Sequence, residues 1–266
     1  MNKLFFPKFL LRLLIRFGET ILGAFRYNNR RLLESIGNLL DCPRYLPVSR
    51  LLPPISLETL VADETAIEIY SLERRNGNIS ALELAAICKI VRQKQPKKIF
   101  EIGTFDGRTT LNMAANAKEA IVYTLDLPES YVAQTKLQIE KGDRIYIIKN
   151  ECGTCFQGTR YMNRIIQLYG DSADFDFSDW YRVTDFVFVD GSHSYEYVMN
   201  DAQIALKLVR PDGVILFHDY GGTWSGVNLA LEQLFLTNQH FRDLKHIEGT
   251  SFAILDLSKR RLSEVI

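Results

Sequence analysis

The chain has no excess of either charge: 32 lysines and arginines stand against 32 aspartates and glutamates in 266 residues. With no global field to attract a polyanion, nucleic acid is excluded as an expected partner. Cysteine is scarce as well. Cys42, Cys88, Cys152 and Cys155 are too few for a disulfide framework in a chain of this length, which points to a reducing cytoplasm. Internal repeats and low-complexity tracts are absent, and no apolar run reaches the ~20 residues that a membrane-spanning helix needs. The nearest candidate, at the N-terminus, is broken by Arg12 and Arg16, and it lacks the small-residue cleavage site of a secretory signal. Length leaves room for one large domain and an appendage, since single cores stop growing at roughly 250 to 300 residues.

What is present is unevenly placed. Lys3, Lys8, Arg12, Arg16, Arg26, Arg30 and Arg31 precede Leu32 with only Glu19 against them. Lys8, Arg12 and Arg16 recur every four residues, a stripe on a helix that Pro7 could begin, with Phe9, Leu10, Leu13, Leu14 and Phe17 around the rest. Two readings stand for residues 1–31: an interfacial helix in peripheral contact with an anionic membrane, or a helix packed on the domain or on a twin subunit in a homo-oligomer. Pro43, Pro47, Pro53 and Pro54 then read as a linker, so residues 1–54 form an N-terminal helical extension and 55–266 the main domain.

Within that domain, "SALELAAICKIVRQKQP" reads as a helix opened by a capping box, with Ser80 as cap and Glu83 three residues on. Strands are expected over 98–103, 120–126, "RIIQLY", "DFVFV" and 213–219, with helices over "GRTTLNMAANA", "SYVAQTKLQIEK" (130–141) and "YVMNDAQIALKLV". Alternation of this kind makes an α/β fold with a parallel sheet and right-handed crossovers. After a helix at "WSGVNLALEQLFL", the segments "FRDLKHIEG" and "SFAILDLS" read as a closing hairpin.

Ligands of open parallel sheets bind beyond the carboxyl ends of the strands. Glu101 ends the first strand, and Gly103 and Gly107 bracket a loop that opens a helix, where the backbone can approach a ligand closely. Asp126 follows the second strand, placed to accept both hydroxyls of a ribose. A nicotinamide-dependent oxidoreductase is disfavoured, because the loop lacks the middle glycine of GxGxxG. Asp171, in "YGDS", follows the third strand, on the base side of a nucleoside or as a turn acid. Asp190 and His193 end the fourth strand, and His218 and Asp219 the fifth. Asp190 and Asp219 suit a shared magnesium or manganese ion, leaving His193 free as a general base at neutral pH. "CGTC" has CxxC spacing without a second pair, so a metal or redox role is disfavoured. The stretch "YIIKNECGTCFQGTRYMN" reads as an insertion near the site mouth that covers the substrate, and Trp224 reads either as a pocket wall or as a packing anchor.

Together "IFEIGTFDGRTT", "VYTLD", "YGDS", "FVFVDGSHSYEYVMNDA" and "LVRPDGVILFHDY" resemble class I S-adenosylmethionine-dependent methyltransferases, in the branch of the macrocin-type O-methyltransferases and the methyltransferase-24 group. The resemblance spans about residues 80 to 258. It implies a Rossmann-like three-layer sandwich with seven strands, the last one antiparallel. It further implies that Glu101, Gly103 and Gly107 cradle the methionine part of S-adenosyl-L-methionine, Asp126 its ribose, and Asp171 with Ser172 its adenine side. Metal-dependent relatives hold magnesium with acids where Asp190, His218 and Asp219 stand, and use a histidine matching His193 as base. Here His218 replaces the first acid of the pair. The function implied is O-methylation of a small-molecule or glycan hydroxyl; a membrane-associated binding protein that keeps the fold without catalysing transfer is the alternative from another class.

Overall fold

A computed structural model describes residues 51–148 and 152–259. The basic N-terminal segment, the first part of the Pro-rich linker and Cys42 lie outside the described residues. Eight strands form one sheet: β1 (Pro54–Ile55), β2 (Lys98–Ile102), β3 (Ile121–Asp126), β4 (Ile165–Tyr169), β5 (Thr184–Val189), β6 (Val209–Phe217), β7 (Lys245–Ile247) and β8 (Ala253–Asp256). Their spatial order is β1-β7-β8-β6-β5-β2-β3-β4. Every pairing is parallel except the two that β8 makes, with β6 and β7. The fold class is therefore the expected one. The extra strand is β1, where Pro54 and Ile55 pair with His246 and Ile247, and the preceding Leu52 is buried.

The sheet is a three-layer sandwich because alternate residues of its central strands face opposite ways. Phe186 and Phe188 of β5, with Val214 and Leu216 of β6, join the core under helices α2 (Ala81–Lys94) and α3 (Arg108–Asn116). Val187, Val189, Ile215 and Phe217 join the core under α5 (Tyr195–Leu208) and α6 (Ser225–Thr237). Because both faces are covered, these strands carry unbroken apolar runs, which is why they were easy to read. Helix α2 begins at the expected capping box, with Ser80 Oγ accepting from the Glu83 N–H at 3.2 Å and Glu83 Oε2 accepting from the Ser80 N–H at 2.8 Å. A one-turn helix, α1 (Leu57–Leu60), precedes it.

One expected element is absent. Instead of a helix over 130–141, the chain makes 3₁₀ turns at Glu129–Gln134 and Lys141–Asp143 and a single α-turn, α4 (Arg144–Ile147). Between the two 3₁₀ turns the backbone is irregular, and burial alternates: Thr135, Leu137 and Ile139 are half-buried while Lys136, Gln138 and Glu140 are exposed. The run Thr-Lys-Leu-Gln-Ile-Glu has period two, that of an extended chain, so a helix would have scattered its apolar residues around the axis. The insertion expected to cover the substrate divides as well. Its start, Tyr146 and Ile147, lines the cavity described below, while Gly153 and Cys155 donate their N–H groups to Phe105 O and Asp106 O and pack beneath the glycine loop.

Candidate active site

A cavity of about 270 Å³ opens at the carboxyl ends of the central strands, where the topology delivers one loop after another. Gly103, at the end of β2, sits at φ +100°, and a Cβ there would lie 2.0 Å from the Asp190 carbonyl oxygen. Only glycine lets the β2 and β5 strand ends approach this closely. Phe105, with φ 51°, carries the loop onward in a conformation that costs a bulky residue on the order of 1–3 kcal/mol, and its N–H is anchored on Asp126 Oδ2 at 2.6 Å.

Of the residues singled out from the sequence, Gly103, Asp126, Asp171, Ser172, Asp190, His193, His218 and Asp219 all line this one cavity. Glu101 and Gly107 do not. Glu101 lies under the loop, fully buried, its Oε2 accepting from the hydroxyls of Thr110 and, at 2.7 Å, Thr124. Burial pushes its carboxyl up to about 8, so at neutral pH it holds a proton, and its place is structural support for the loop. Gly107 caps α3 in the left-handed region against Phe156. Asp171 acts as a turn acid: it accepts from Ala173 N–H, from Tyr197 OH at 2.8 Å and from Lys136 N–H at 2.8 Å, and so fastens the segment after β3 to the loop after β4.

The two histidines and the acids around them form a ladder of alternating imidazoles and carboxylates. His218 Nε2 stands 3.6 Å from Glu83 Oε2, an ion-pair distance, while its Nδ1 hydrogen-bonds Asp190 Oδ1 at 2.9 Å and makes an ion-pair contact with Asp219 Oδ2 at 3.0 Å. The same Asp219 oxygen bonds His193 Nε2 at 2.7 Å, and His193 Nδ1 bonds Asp143 Oδ1 at 2.5 Å. Burial alone would depress both imidazoles. The carboxylates override it, pushing His193 up to about 10 and His218 well above its usual range, and in turn the two imidazoles hold Asp219 below the usual carboxylate range. His193 was expected to be free as a base; both of its ring nitrogens are instead engaged, because Asp143 and Asp219 flank it. Asp219 has φ +64°, a left-handed turn that aims its carboxylate between the two rings.

Donor atoms of Asp190, His218 and Asp219 lie within 4.8 Å of one another, a set of two hard oxygens and one imidazole that suits manganese or magnesium. The indole of Trp224 stacks on His193, with centroids 4.0 Å apart and planes at 16°, so the wall reading and the packing reading of this tryptophan are both met. Gly226 brings the first turn of α6 against the same turn: a Cβ there would be 2.3 Å from His193 O.

Sequence reasoning missed Asp143, Tyr146, Glu83 and Asp201 as members of this neighbourhood. Asp143 lies between the expected helix, which ended at Lys141, and the expected insertion, which began at Tyr146, so it fell in neither; Tyr146 was placed near the site mouth with that insertion but given no role. Asp201 closes the DGxHxYxxVxxD pattern but carried no assigned role.

Residues 100–220 match the model of a family described as "Methyltransferase domain", the methyltransferase-24 group. The resemblance drawn from the motifs is met over that span, which is similar to a methyltransferase domain. Among solved structures it is similar to SAH-bound methyltransferase PaMTH1 of Podospora anserina, at 15% identity over 67% of this chain and 79% of that one, with a TM-score of 0.47. It is similar to the O-methyltransferase of Bacillus cereus in complex with SAH, at 17% identity over 68% and 82% of the two chains, with a TM-score of 0.46. TomG of Streptomyces achromogenes, an O-methyltransferase involved in tomaymycin synthesis, is similar at 19% identity over 66% and 80%, with a TM-score of 0.44.

Proposed function

We propose that this protein transfers the methyl group of S-adenosyl-L-methionine to a hydroxyl oxygen of a small-molecule or glycan acceptor. The observation that carries the reading is the charge of the cavity. Asp106, Asp126, Asp143, Asp171, Asp190 and Asp219 line it with the partly protonated Asp201, against Arg74 and the imidazoles of His193 and His218 as its cationic groups, so acids still outnumber cations. Such a site suits a donor with a positively charged sulfonium and an ammonium group, and it disfavours the pyrophosphate of a dinucleotide.

Asp126 and the Gly103 loop hold the nucleoside and amino-acid parts of the donor, and Asp171 with Ser172 borders the base. The acceptor oxygen then attacks the methyl carbon in line with the sulfur. A carbon–oxygen bond forms, the carbon–sulfur bond breaks, and S-adenosylhomocysteine leaves with the electron pair. The hydroxyl proton passes to His193 Nε2 once the imidazole has released the proton it shares with Asp219 Oδ2 across 2.7 Å; because Asp143 and Asp219 raise His193 to about 10, transfer should speed as pH rises toward that value. Asp190, His218 and Asp219 would hold a magnesium or manganese ion, which when bound would lower the pKa of the acceptor hydroxyl.

For the basic segment 1–31 the two readings stand as proposals, peripheral contact with an anionic membrane or packing on the domain or a twin subunit, and liposome flotation with and without the segment separates them. Among the described residues, no helix is long and apolar enough to cross a membrane. Titration calorimetry with S-adenosylmethionine and S-adenosylhomocysteine tests the central reading: saturable binding of both is expected. Binding of a nicotinamide dinucleotide in their place, or of neither, refutes it.

A further inference from the structure

The structure assigns to Asp143 a role that nothing in the motifs announces: we propose that it is the positioning residue for His193, delivered by a cover segment that must lift to admit the acceptor. The inference rests on the methyl-transfer reading for its purpose, and on geometry alone for its substance.

Asp143 lies at the junction of the 3₁₀ turn Lys141–Asp143 and α4, just past the end of the expected helix. It is only 4% exposed. Its carboxylate takes three hydrogen bonds from one turn of the opposite wall: Ser192 Oγ donates to Oδ2 at 2.6 Å, the His193 N–H donates to Oδ2 at 3.0 Å, and the His193 ring bonds Oδ1 through Nδ1 at 2.5 Å. Surface loops rarely concentrate this many partners on one acid. These bonds fix the rotation of the imidazole, and that rotation is what points Nε2 at Asp219 Oδ2, where the acceptor proton is received.

The neighbours of Asp143 complete a cover over the histidine. Gly142 lies under Trp224 so tightly that a Cβ would come within 2.6 Å of the indole, and Trp224 in turn stacks on His193. Tyr146, three residues on, stands 6.4 Å from the same ring. With the imidazole only 13% exposed under this cover, an acceptor hydroxyl reaches Nε2 and Asp219 only when Lys141–Ile147 moves away. Beyond these contacts the segment is held by Tyr146, edge-on to Phe105 with centroids 6.0 Å apart, while Lys141, Arg144 and Ile145 are exposed and one turn of helix has marginal stability of its own. Asp143 is thus both the latch of the cover and the group that sets the base once the cover is shut.

Three variants of the full chain test this: Asp143→Ala, Asp143→Asn, which keeps the size and one acceptor oxygen, and Asp143→Glu. The first readout is the rate of tryptic cleavage after Lys141 and Arg144, followed by mass spectrometry. The second is the emission of Trp224 in a Trp180→Phe background, since a stacked imidazole quenches an indole. Asp143→Ala is expected to speed cleavage at these two bonds at least tenfold, equivalent to about 1.4 kcal/mol in the opening equilibrium, and to raise the emission. Asp143→Asn should fall between, also serving if Asp143→Ala does not fold, and Asp143→Glu should restore part of both signals. Unchanged cleavage and emission in Asp143→Ala or Asp143→Asn would overturn the proposal. A parent protein that binds no S-adenosylhomocysteine would overturn the methyl-transfer reading instead, while the latch readouts stand.

Discussion

Replacing Asp201 by asparagine should make the protein more stable at alkaline pH and leave it almost unchanged at acid pH. Asp201 is 1% exposed and lies on the floor of the cavity, with Oδ1 accepting from Asn200 Nδ2 at 3.0 Å and a further hydrogen bond from Ser172. Burial pushes its carboxyl up to about 7, the charge of Asp171 adds to the rise, and the two hydrogen bonds offset only part of it. In the unfolded chain the same carboxyl titrates near ~3.9. Across that interval the folded state keeps a proton that the unfolded state has released. The contribution to stability is therefore fully present below about pH 4 and is lost as pH rises to about 7. Between about pH 5 and about pH 8 the loss works out at roughly 2.5 kcal/mol. Asparagine has the same shape and no proton to lose, so it removes this slope. Urea melts of wild type and Asp201→Asn at the two pH values isolate it, because every other titrating group cancels in the difference. The difference should move by about 2–3 kcal/mol in favour of the variant, or roughly 4–12 °C in Tm. A constant difference would show that Asp201 is ionised in the folded protein and that the floor of the cavity is wet.

Gly103→Ala combines a φ of +100° with a Cβ 2.0 Å from a backbone oxygen, so the ends of β2 and β5 must separate. A loss of about 2–5 kcal/mol in urea melts is expected, together with loss of S-adenosylhomocysteine binding by calorimetry; a variant as stable as wild type would refute the close approach. Asp126→Asn retains an oxygen for the Phe105 N–H and loses only the charge. Its affinity for S-adenosylhomocysteine should fall at least about tenfold with Tm nearly unchanged, and equal affinity would remove Asp126 from the donor site.

The sheet was legible because strands buried on both faces read as apolar runs, as "DFVFV" and "GVILF" do, and because the acids and glycines that end them sit at strand termini by topology. The segment leading into the cover was not legible in the same way. "TKLQIE" carries apolar residues at every second position, yet its neighbours "SYVAQ" and "EK" have helix-forming composition, and the longer pattern was preferred over the shorter one. Asp143 went unnoticed, since a side chain's partners 50 residues away leave no local trace. His193 shows a different limit. Its position at a strand end could be read, but its state could not, because that depends on a carboxylate from the cover and on another from the next strand.

The replacement of an acid by His218 changes what holds the site together. With three acids at 190, 218 and 219, mutual repulsion would have to be neutralised by a cation for the strand ends to pack. With His218, an imidazole stands between Asp190 and Asp219, in contact with both at 2.9 and 3.0 Å, and backed by Glu83 at 3.6 Å. Glu83 is itself fixed by the α2 capping box and by Ser251, whose N–H and hydroxyl both donate to Oε1. The charges are thus balanced by protein groups, although His218 Nε2 makes no hydrogen bond, and a metal ion would compete with the proton on Nδ1 rather than cement the fold. It follows that chelation should leave the Tm of wild type unchanged. His218→Asp should behave in the opposite manner: a fourth carboxylate beside Glu83, Asp190 and Asp219 leaves uncompensated buried charge, costing on the order of 3–5 kcal/mol, and millimolar manganese should restore most of it. Thermal melts of both proteins with chelator and with manganese decide the matter. If His218→Asp melts at the same temperature in both, or if wild type loses stability on chelation, His218 does not stand in for a cation between Asp190 and Asp219.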